Sequence, residues 1–341
     1  MKRTTLRWLG TLLAVPVLAL AACGDASDPE PAGDGGDDAP EQTEDAPDGE
    51  TYSIGVTQIV SHPSLDAALD GFQAALSDAG LDVEYDEQNA QGDQATATSI
   101  ATTFSSAGHD LILAIATPTA QATAQAITDV PILITAVTDP LEAGLVDSWE
   151  APGGNLTGTS DLNPVQEQLE LLAEIAPDAE TVGIVYSSGE VNSEIQVELA
   201  REAAEGLGLT IEVATVTNSS EVQQAADSLT VDAFYVPTDN TVVSGFEALL
   251  QVAEAKSIPV IGAEGDTVER GAIGTYGIDY EQLGYQTGEM AVRVLVEGAD
   301  PAEMPIETQS ELSLIVNTAA AERLGVELPE DLIERADSVL E

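Results

Sequence analysis

Polar side chains follow the predicted strands of this chain, and they are the residues whose types and positions could do chemistry. In open α/β sheets, ligands bind beyond the carboxyl ends of the parallel strands, beside the N-termini of the helices. Hydroxyl, amide and carboxylate groups that converge there predict a site for a small polar molecule, although each one taken alone could simply cap the next helix. The predicted ligand-binding residues are Thr57, Gln58, Thr117, Pro118, Gln121, Asp139, Ser160, Asp161, Glu190, Asn192, Ser193, Thr238, Asp239, Asn240 and Tyr276.

The distribution of basic residues limits the charge of this ligand. Residues 51–200 contain no Lys or Arg, so no salt bridge from that part of the chain can hold an anionic group. A ligand carboxylate would instead be held by backbone N–H groups at helix N-termini and by hydroxyls such as that of Thr117. A ligand ammonium would find Asp161, Asp239 or Glu190. The pattern therefore favours a zwitterion or a neutral polar molecule over a phosphate or a dicarboxylate.

The motifs of common catalytic and cofactor sites are missing from the sequence. There is no GxxxxGK[ST] phosphate loop, no GxGxxG after the first predicted strand and no GxSxG nucleophile turn. The chain has two histidines, His62 and His109, which we interpret as turn residues, and one cysteine, so we expect no metal or other cofactor. The sequence predicts a binding protein rather than an enzyme, and an enzyme on the same scaffold is the alternative.

The elements that must position these residues alternate between strand and helix. From Tyr52 onward, short β-rich segments are followed by amphipathic helices, and the alternation resumes after a glycine-rich pause at residues 153–161. A helix at 281–298, a strand at 312–317 and a closing helix near 329–340 are predicted for the tail. Repeated β-α-β units form parallel sheets, so the predicted fold is α/β, with two doubly wound parallel-sheet lobes joined by a hinge.

The N-terminus has the pattern of an export signal that ends at the single cysteine. A basic start and an apolar segment predict a signal peptide over residues 1–22. The segment Leu20-Ala21-Ala22-Cys23 resembles the lipobox of bacterial lipoproteins, which implies that Cys23 is lipidated and anchors the chain to the outer face of the cell membrane. Residues 23–50 are acidic and lack large aliphatic side chains, so we expect a disordered tether there.

The overall charge excludes one class of partner. The chain has 9 Lys and Arg against 61 Asp and Glu, a formal net charge of −52, which repels nucleic acid. Because the acidic residues are spread along the whole chain, we interpret them as a solvated surface suited to a saline medium. An acidic binding face is the alternative.

Several longer segments resemble one family, the type I periplasmic binding proteins associated with tryptophan and tyrosine uptake. The similar segments are IGVTQIVSHPSLDAALDGF, NAQGD, DLILAIATPTAQA, AVTDPLEAGLV, GGNLTGTSD, GEVNS, PTDN and LGVELPEDLIERADSVLE. The resemblance implies the substrate-binding lipoprotein of an ABC importer, a monomer that captures an aromatic amino acid by lobe closure and delivers it to a permease and its ATPase. Tyr276 and Tyr280, which flank a predicted crossing between the lobes, are the preferred residues to stack on an aromatic ring.

In this fold class each lobe is built from separate segments of the chain. The resemblance implies an N-terminal lobe of residues 51–158 and 279–303, and a C-terminal lobe of residues 159–278 and 304–341. Two alternatives for function remain, namely a binding module that reports ligand to a receptor, and an importer component for another small polar solute such as a sugar or a nucleoside.

Overall fold

The computed structural model describes residues 51–309 and 312–341. The predicted signal peptide, Cys23 and the acidic tether lie outside the described residues. Within the described part of the chain, no helix is both long and apolar enough to cross a membrane.

The described residues form 13 strands and 12 α-helices, in an order that alternates for most of the chain. The strands are β1 (Thr51–Gln58), β2 (Asp82–Asn89), β3 (Leu111–Ile115), β4 (Ile132–Val137), β5 (Leu156–Ser160), β6 (Thr181–Ser187), β7 (Thr210–Val216), β8 (Ala233–Val236), β9 (Val260–Gly262), β10 (Gly274–Gly277), β11 (Glu307–Thr308), β12 (Ser313–Asn317) and β13 (Ser338–Leu340). The helices are α1 (Pro63–Asp78), α2 (Gln94–Phe104), α3 (Thr117–Ala126), α4 (Val165–Ile175), α5 (Val191–Leu207), α6 (Val222–Ser228), α7 (Asn240–Ser244), α8 (Phe246–Lys256), α9 (Gly265–Arg270), α10 (Tyr280–Leu295), α11 (Thr318–Leu324) and α12 (Glu330–Arg335).

The strands form two sheets, each of which is the centre of one lobe. The sheet of the first lobe has the order β11-β5-β4-β3-β1-β2, and that of the second lobe has the order β13-β12-β10-β9-β8-β6-β7. The paired strands are parallel, except that β12 runs antiparallel to β10. The predicted pair of parallel-sheet α/β lobes is confirmed.

The chain crosses between the lobes later than predicted at two places. β5 pairs with β4 as far as Ser160, so the first crossing follows Ser160 and the predicted boundary at 158/159 falls inside a strand of the first sheet. β11 also joins the first sheet, beside β5, so residues 304–308 belong to the first lobe and not, as predicted, to the second. The glycines at and before β5 are typical of a loop, which is why the sequence pattern does not predict this strand. Gly158 is needed there, because a Cβ atom would lie 2.1 Å from the carbonyl oxygen of Ile134.

The remaining differences from the predicted elements concern short or interrupted elements. The predicted closing helix near 329–340 is wrong in its last part, because α12 ends at Arg335 and β13 pairs in parallel with β12. The helical stretch from Asn240 to Lys256 is divided at Gly245 into the two helices α7 and α8. β5, α9, β10, β11 and α11 have no counterpart among the predicted elements, since each has seven residues or fewer and shows too little periodicity to be read.

Helix α10 follows the second lobe in sequence and packs against α1 of the first lobe through glycines. A Cβ atom at Gly284 would lie 1.9 Å from the carbonyl oxygen of Ala68, and one at Gly71 would lie 1.9 Å from that of Glu281. A Cβ atom at Gly288 would lie 2.7 Å from the carbonyl oxygen of Phe72. The two helix backbones therefore approach as closely as they do only because these three positions lack a side chain. We call this contact the glycine seam.

Candidate functional site

The ends of strands from both sheets face a narrow cavity between the lobes, about 10 Å³ in volume, which we call the inner cavity. The first lobe lines it with His62, Leu65, Ala136, Thr138 and Tyr280, the first crossing contributes Asp161, and the second lobe contributes Asn192, Thr238, Asp239, Asn240, Val243 and Glu264. A more open depression, the outer groove, lies between loops of both lobes and shares Asn240 with the inner cavity; Pro118 and Glu190 are among its other lining residues.

The first lobe positions its side of the cavity with two helix starts and one bulge. His62 directly precedes α1 and is 8% exposed, and Leu65 lies in the first turn of that helix. Tyr280 is the first residue of α10, so the glycine seam that joins α10 to α1 also fixes the distance between these side chains. Ala136 has a φ of 54° at a register shift in the pairing of β4 with β5. Non-glycine residues with positive φ are uncommon and occur often at functional sites.

Two buried carboxylates of the second lobe accept hydrogen bonds from the protein's own backbone. Asp239 accepts hydrogen bonds from the backbone N–H groups of Ser187, at 2.5 Å, and Val242, at 2.8 Å. Glu190 accepts from the backbone N–H groups of Asn240 and Thr241, at 3.1 and 3.0 Å. These residues therefore cap α7 and join it to the end of β6. Burial, with the nearby charge of Glu190, raises the pKa of Asp239 to about 7.

Asp161 links the first crossing to the first lobe. One carboxylate oxygen accepts from the Tyr280 hydroxyl at 2.7 Å, and the other accepts from the Thr138 hydroxyl at 3.3 Å. Burial raises the pKa of Asp161, although both hydrogen bonds oppose that shift. A cation in the cavity would favour the ionised form of this carboxyl.

Glu264, which directly precedes α9, is 1% exposed and has one oxygen without a partner. Among the described residues nothing donates a hydrogen bond to its Oε1. Burial raises the pKa of Glu264 to about 8, and the charges of Asp266 and Asp161 add to this shift. No Lys or Arg lines the inner cavity within the described part of the chain. The cavity is therefore strongly acidic and lacks a counter-ion.

Four polar atoms of cavity-lining residues are buried without a hydrogen-bond partner among the described residues. They are His62 Nδ1, Asn192 Oδ1, Thr238 Oγ1 and Glu264 Oε1. Buried polar atoms are nearly always hydrogen-bonded, so a group of unpartnered atoms around one cavity indicates the positions of ligand atoms. Burial lowers the pKa of His62 to about 4, so its ring is neutral near pH 7 and one nitrogen can accept a hydrogen bond.

The structure brings part of the predicted set to the inner cavity. Asp161, Asn192, Thr238, Asp239 and Asn240 line it. Pro118 and Glu190 line the outer groove instead.

Thr57 and Thr117 line neither the inner cavity nor the outer groove. Thr57 lies near the end of β1 and Thr117 is the first residue of α3; both are nearly fully buried, and neither hydroxyl has a partner among the described residues. They are the predicted residues outside the cavity that still have a free polar group, so we keep them in the candidate site.

Three of the predicted ligand-binding residues form hydrogen bonds with protein groups outside the site. Gln58 donates to Asp66 at 2.7 Å, because β1 places its side chain on the face opposite to that of Thr57. Gln121 donates to the carbonyl oxygen of Ala143, and Asp139 accepts from backbone N–H groups of its own loop. We therefore remove Gln58, Gln121 and Asp139 from the candidate site.

Of the other three predicted residues outside the cavity, two contact residues of the site from behind and one packs in the core of the second lobe. Ser160 donates to the carbonyl oxygen of Thr138 at 2.7 Å, and fully buried Ser193 lies beside Asp239. Tyr276 packs against the core of the second lobe and does not line the inner cavity. The preference for Tyr276 as a stacking residue is therefore not supported, whereas Tyr280 does reach the cavity.

Seven residues that line the inner cavity are absent from the predicted set, and only some of them carry a usable signal in the sequence. Thr138 and Glu264 follow β4 and β9, the positional rule that selected the other candidates. From the sequence His62 is interpreted as a turn residue, and Tyr280 stands out only for its aromatic ring. Leu65, Ala136 and Val243 are apolar residues that no local pattern separates from the core.

Comparisons with known proteins agree on one family. The sequence profile described as ABC transporter substrate binding protein matches residues 53–340. A protein named tyrosine-binding protein, from Clostridioides difficile, is 44% identical over 281 residues, which is 81% of each chain. A structure from Streptococcus pneumoniae, solved in complex with L-Trp, is similar with a TM-score of 0.83 and 38% identity, over 85% of this chain and 100% of that one.

A third comparison indicates how the lobes are arranged. The ligand-free, open structure of a substrate-binding protein from Clostridium difficile is 45% identical, over 85% of this chain and 99% of that one, but its TM-score is only 0.65. The chain that is more similar in sequence is thus less similar in shape than the L-Trp complex. We infer that the lobes of this chain are closed around the inner cavity, as its small volume also indicates.

Proposed function

Because this chain belongs to the ABC transporter substrate-binding proteins, we propose that its inner cavity captures an aromatic amino acid, tryptophan or tyrosine, for an importer. Two relatives support this choice of ligand, since one is named for tyrosine binding and another was solved with L-Trp. The partners of such a protein are an ABC permease and its ATPase.

The observation that carries the proposal is the set of unpartnered polar atoms and buried carboxylates around one cavity between two lobes. A buried carboxylate without a counter-ion is unfavourable unless it is protonated or neutralised. A ligand ammonium supplies the missing positive charge, and its three N–H donors suit the oxygens of Asn192, Thr238 and Glu264.

The ligand carboxylate has neutral donors available on the side of the first lobe. The hydroxyls of Thr57 and Thr117 are buried and unpartnered, and Thr117 is the first residue of α3. The N-terminus of a helix favours negative charge, because its first N–H groups are free and its dipole is positive there. We assign the carboxylate to the first turn of α3, where Pro118 borders the outer groove.

The aromatic ring of the ligand is matched by the apolar side chains of the cavity walls, which must move apart to admit it because the closed cavity has room for about one water molecule. Leu65, Ala136 and Val243 line the cavity, and the ring of Tyr280 lies beside them with its hydroxyl directed to Asp161. Offset or edge-to-face contact with a second ring stabilises such a pair by about 0.5–1.5 kcal/mol beyond area burial. The neutral ring of His62 can exchange a hydrogen bond with a phenol or an indole N–H.

Capture proceeds by lobe closure and involves no covalent chemistry. The ligand first contacts one lobe of the open form, and closure adds the contacts of the other lobe and excludes water. The closed form is favoured by the interactions that only it makes with the ligand. The permease then recognises the closed arrangement.

Proteins of this family act outside the cytoplasmic membrane. We propose that this chain is held there by a lipid on Cys23, after cleavage of residues 1–22, with the acidic segment 23–50 as tether. A Cys23→Ser variant should leave the membrane fraction and lose the mass of the lipid. Continued membrane retention of that variant would exclude this anchor.

Calorimetric titration of the soluble Cys23→Ser chain tests the proposed ligand. We expect L-Trp and L-Tyr to bind at one site per chain, and L-Leu, glucose and a nucleoside to bind far more weakly or not at all. Binding of the sugar or the nucleoside in place of the aromatic amino acids would contradict the proposal. A product released from any of these compounds would indicate an enzyme instead.

A further inference from the structure

We propose that Glu264 is the residue that receives the ammonium group of the ligand, and that it makes the inner cavity selective for primary amines. The inference rests on the proposed function, because it concerns the same cavity. It replaces the three carboxylates that the sequence suggested, Asp161, Asp239 and Glu190.

Those three carboxylates differ from Glu264 because both oxygens of each already accept hydrogen bonds from the protein. Asp239 and Glu190 each accept two backbone N–H donors and hold α7 in place. Both oxygens of Asp161 accept from side-chain hydroxyls. A carboxylate whose acceptors are already occupied has little to gain from a further donor, since net hydrogen-bond energy depends on replacing water or an empty position.

Glu264, by contrast, has a carboxylate oxygen that accepts no hydrogen bond from the described residues. Its side chain is almost completely buried, it lines the inner cavity, and Oε1 has no donor within the described residues. The cation closest in sequence, Arg270, is engaged elsewhere, since its guanidinium donates to Glu247, Asp266 and the carbonyl oxygen of Val243. Glu264 therefore needs a donor with positive charge, and only the cavity is open to supply one.

The position of Glu264 also couples amine binding to closure. Glu264 belongs to the second lobe, while the Ser64 hydroxyl of α1 and the Asp161 carboxylate are close enough to influence its pKa. Tyr280 of α10 lies near both carboxylates. An ammonium between Glu264 and Asp161 would thus attract groups from both walls of the cavity. Without it the two carboxylates repel each other whenever both are ionised, which favours the open form.

The ionisation of Glu264 agrees with this role. In the closed arrangement burial raises the pKa of Glu264 to about 8, so near pH 7 its carboxyl keeps a proton unless a cation replaces it. A bound ammonium provides that replacement. The group is therefore neutralised either by a proton or by an amine ligand.

Three ligands that differ only in their charged groups test the proposal. Tryptophan has both groups, tryptamine lacks the carboxylate, and indole-3-propionate lacks the amine. Calorimetry on the unaltered binding site should give an affinity for L-Trp at least about 100-fold above that for indole-3-propionate, because the unpaired buried acceptor rejects the analogue that lacks the donor. Tryptamine should keep binding.

The Glu264→Gln variant should lose roughly 30-fold or more in affinity for L-Trp, the usual result of removing one partner of a buried charge pair. Its preference for L-Trp over indole-3-propionate should shrink to within about threefold, because a neutral amide no longer selects a cation. The matched control is Glu269→Gln, which changes an exposed residue of α9, the helix that follows Glu264, and should change neither value.

The outcomes separate this proposal from the proposed function. If Glu264→Gln keeps the preference for the amine, or if indole-3-propionate binds as tightly as L-Trp, the proposed role of Glu264 is wrong. The proposal of an aromatic ligand is not affected by either result. If L-Leu or L-Lys binds in place of L-Trp, and Glu264→Gln abolishes that binding, the aromatic assignment is wrong and Glu264 is supported. If no primary amine binds, both are overturned.

Circular dichroism and the thermal midpoint control for misfolding of the variant. If Glu264→Gln does not fold, Glu264→Asp keeps the charge and shortens the side chain by one methylene. That variant should bind L-Trp more weakly while it keeps the preference for the amine. Loss of that preference in folded Glu264→Asp would contradict selection by charge.

Discussion

The two walls of the inner cavity differ in kind. The wall of the first lobe has apolar side chains, one hydroxyl, one neutral imidazole and the ring of Tyr280. The wall of the second lobe has amides and buried carboxylates, among them Asp239 and Glu264. Because no Lys or Arg lines the inner cavity within the described residues, the wall of the first lobe adds no opposite charge. The difference indicates a division of labour, in which the first lobe fits the shape of the ligand and the second lobe recognises its positive charge.

The walls are also held in place by different means. On the first lobe, α1 and α10 are brought together by close backbone contact at the glycine seam. On the second lobe, carboxylates hold the start of α7 through hydrogen bonds to the backbone. Packing thus determines the shape of one wall, and buried charge determines the shape of the other. Each kind of support can be removed separately.

The largest effect should come from filling the glycine seam. Gly284→Ala would place a Cβ atom 1.9 Å from the carbonyl oxygen of Ala68, and backbone cannot move aside as a side chain can. Overpacking of this kind costs about 1–3 kcal/mol, and we expect the upper end or beyond in the free energy of unfolding. Denaturant unfolding measures the loss.

The matched control for that variant is Gly206→Ala in α5. Nothing lies within 4 Å of a Cβ atom there, so the change should stabilise the protein, by about 0.5–1 kcal/mol as expected for alanine over glycine in a helix. Equal stability of the two variants would mean that the seam does not hold the first wall.

Removal of a carboxylate support on the second lobe should have the next largest effect. Asp239→Ala leaves the backbone N–H groups of Ser187 and Val242 buried without their acceptor. We expect a loss of about 2 kcal/mol in the free energy of unfolding, as for a lost helix cap and unsatisfied donors. Asp139→Ala, which removes a partly exposed loop carboxylate, should cost clearly less. A fully stable Asp239→Ala variant would contradict the structural role of this residue.

A smaller effect, on ligand affinity rather than stability, should distinguish the two tyrosines named from the sequence. Tyr280→Phe keeps the ring but removes the hydroxyl that donates to Asp161 at 2.7 Å. We expect a roughly tenfold loss of affinity for L-Trp, since a hydrogen bond to a charged group contributes about 1.5–3 kcal/mol and part of it is recovered by water. Tyr276→Phe should bind like the unaltered chain in the same titration. The reverse order of these two variants would reassign the aromatic contact.

The contrast between these tyrosines illustrates what could be predicted from the sequence. Alternating strands and helices predicted the two-lobed α/β fold, and strand ends predicted that Asp161 and Asp239 would reach the cavity. Tyr276 and Tyr280 are four residues apart, but one lies in β10 and packs on a core while the other begins α10 beside the cavity. A short strand next to a crossing gave too little periodicity to tell them apart.

The selection among carboxylates could not be predicted for a different reason. Asp239, Glu190 and Glu264 all stand close to strand ends in the sequence. Whether each is free for a ligand depends on backbone N–H groups that the fold brings from distant residues, such as Ser187 for Asp239. Position along a strand is a local property, whereas hydrogen-bond satisfaction is a property of the assembled site.

The smallest expected effect is a pH dependence of closure without ligand. In the closed form the pKa of Asp239 is raised to about 7 and that of Glu264 to about 8, both mainly by burial and nearby carboxylates, with Arg270 partly opposing the shift at Glu264. A raised pKa means that the closed form binds the proton more tightly than the open or unfolded form. Its contribution is present at low pH and is lost as the pH rises through 7 and 8, by up to about 1.4 kcal/mol per pH unit and group.

His62 has the opposite sign but acts in another range. Its pKa is lowered to about 4, so its contribution to stability is lost as the pH falls from 6.5 to 4 and does not interfere above pH 6.5. Small-angle scattering of the ligand-free protein should therefore show a larger radius of gyration at pH 8.5 than at pH 6.5, and Glu264→Gln should weaken this change. L-Trp should abolish it, because the ammonium then neutralises the second wall at either pH. Compaction with rising pH would contradict the assignment of the buried charge to that wall.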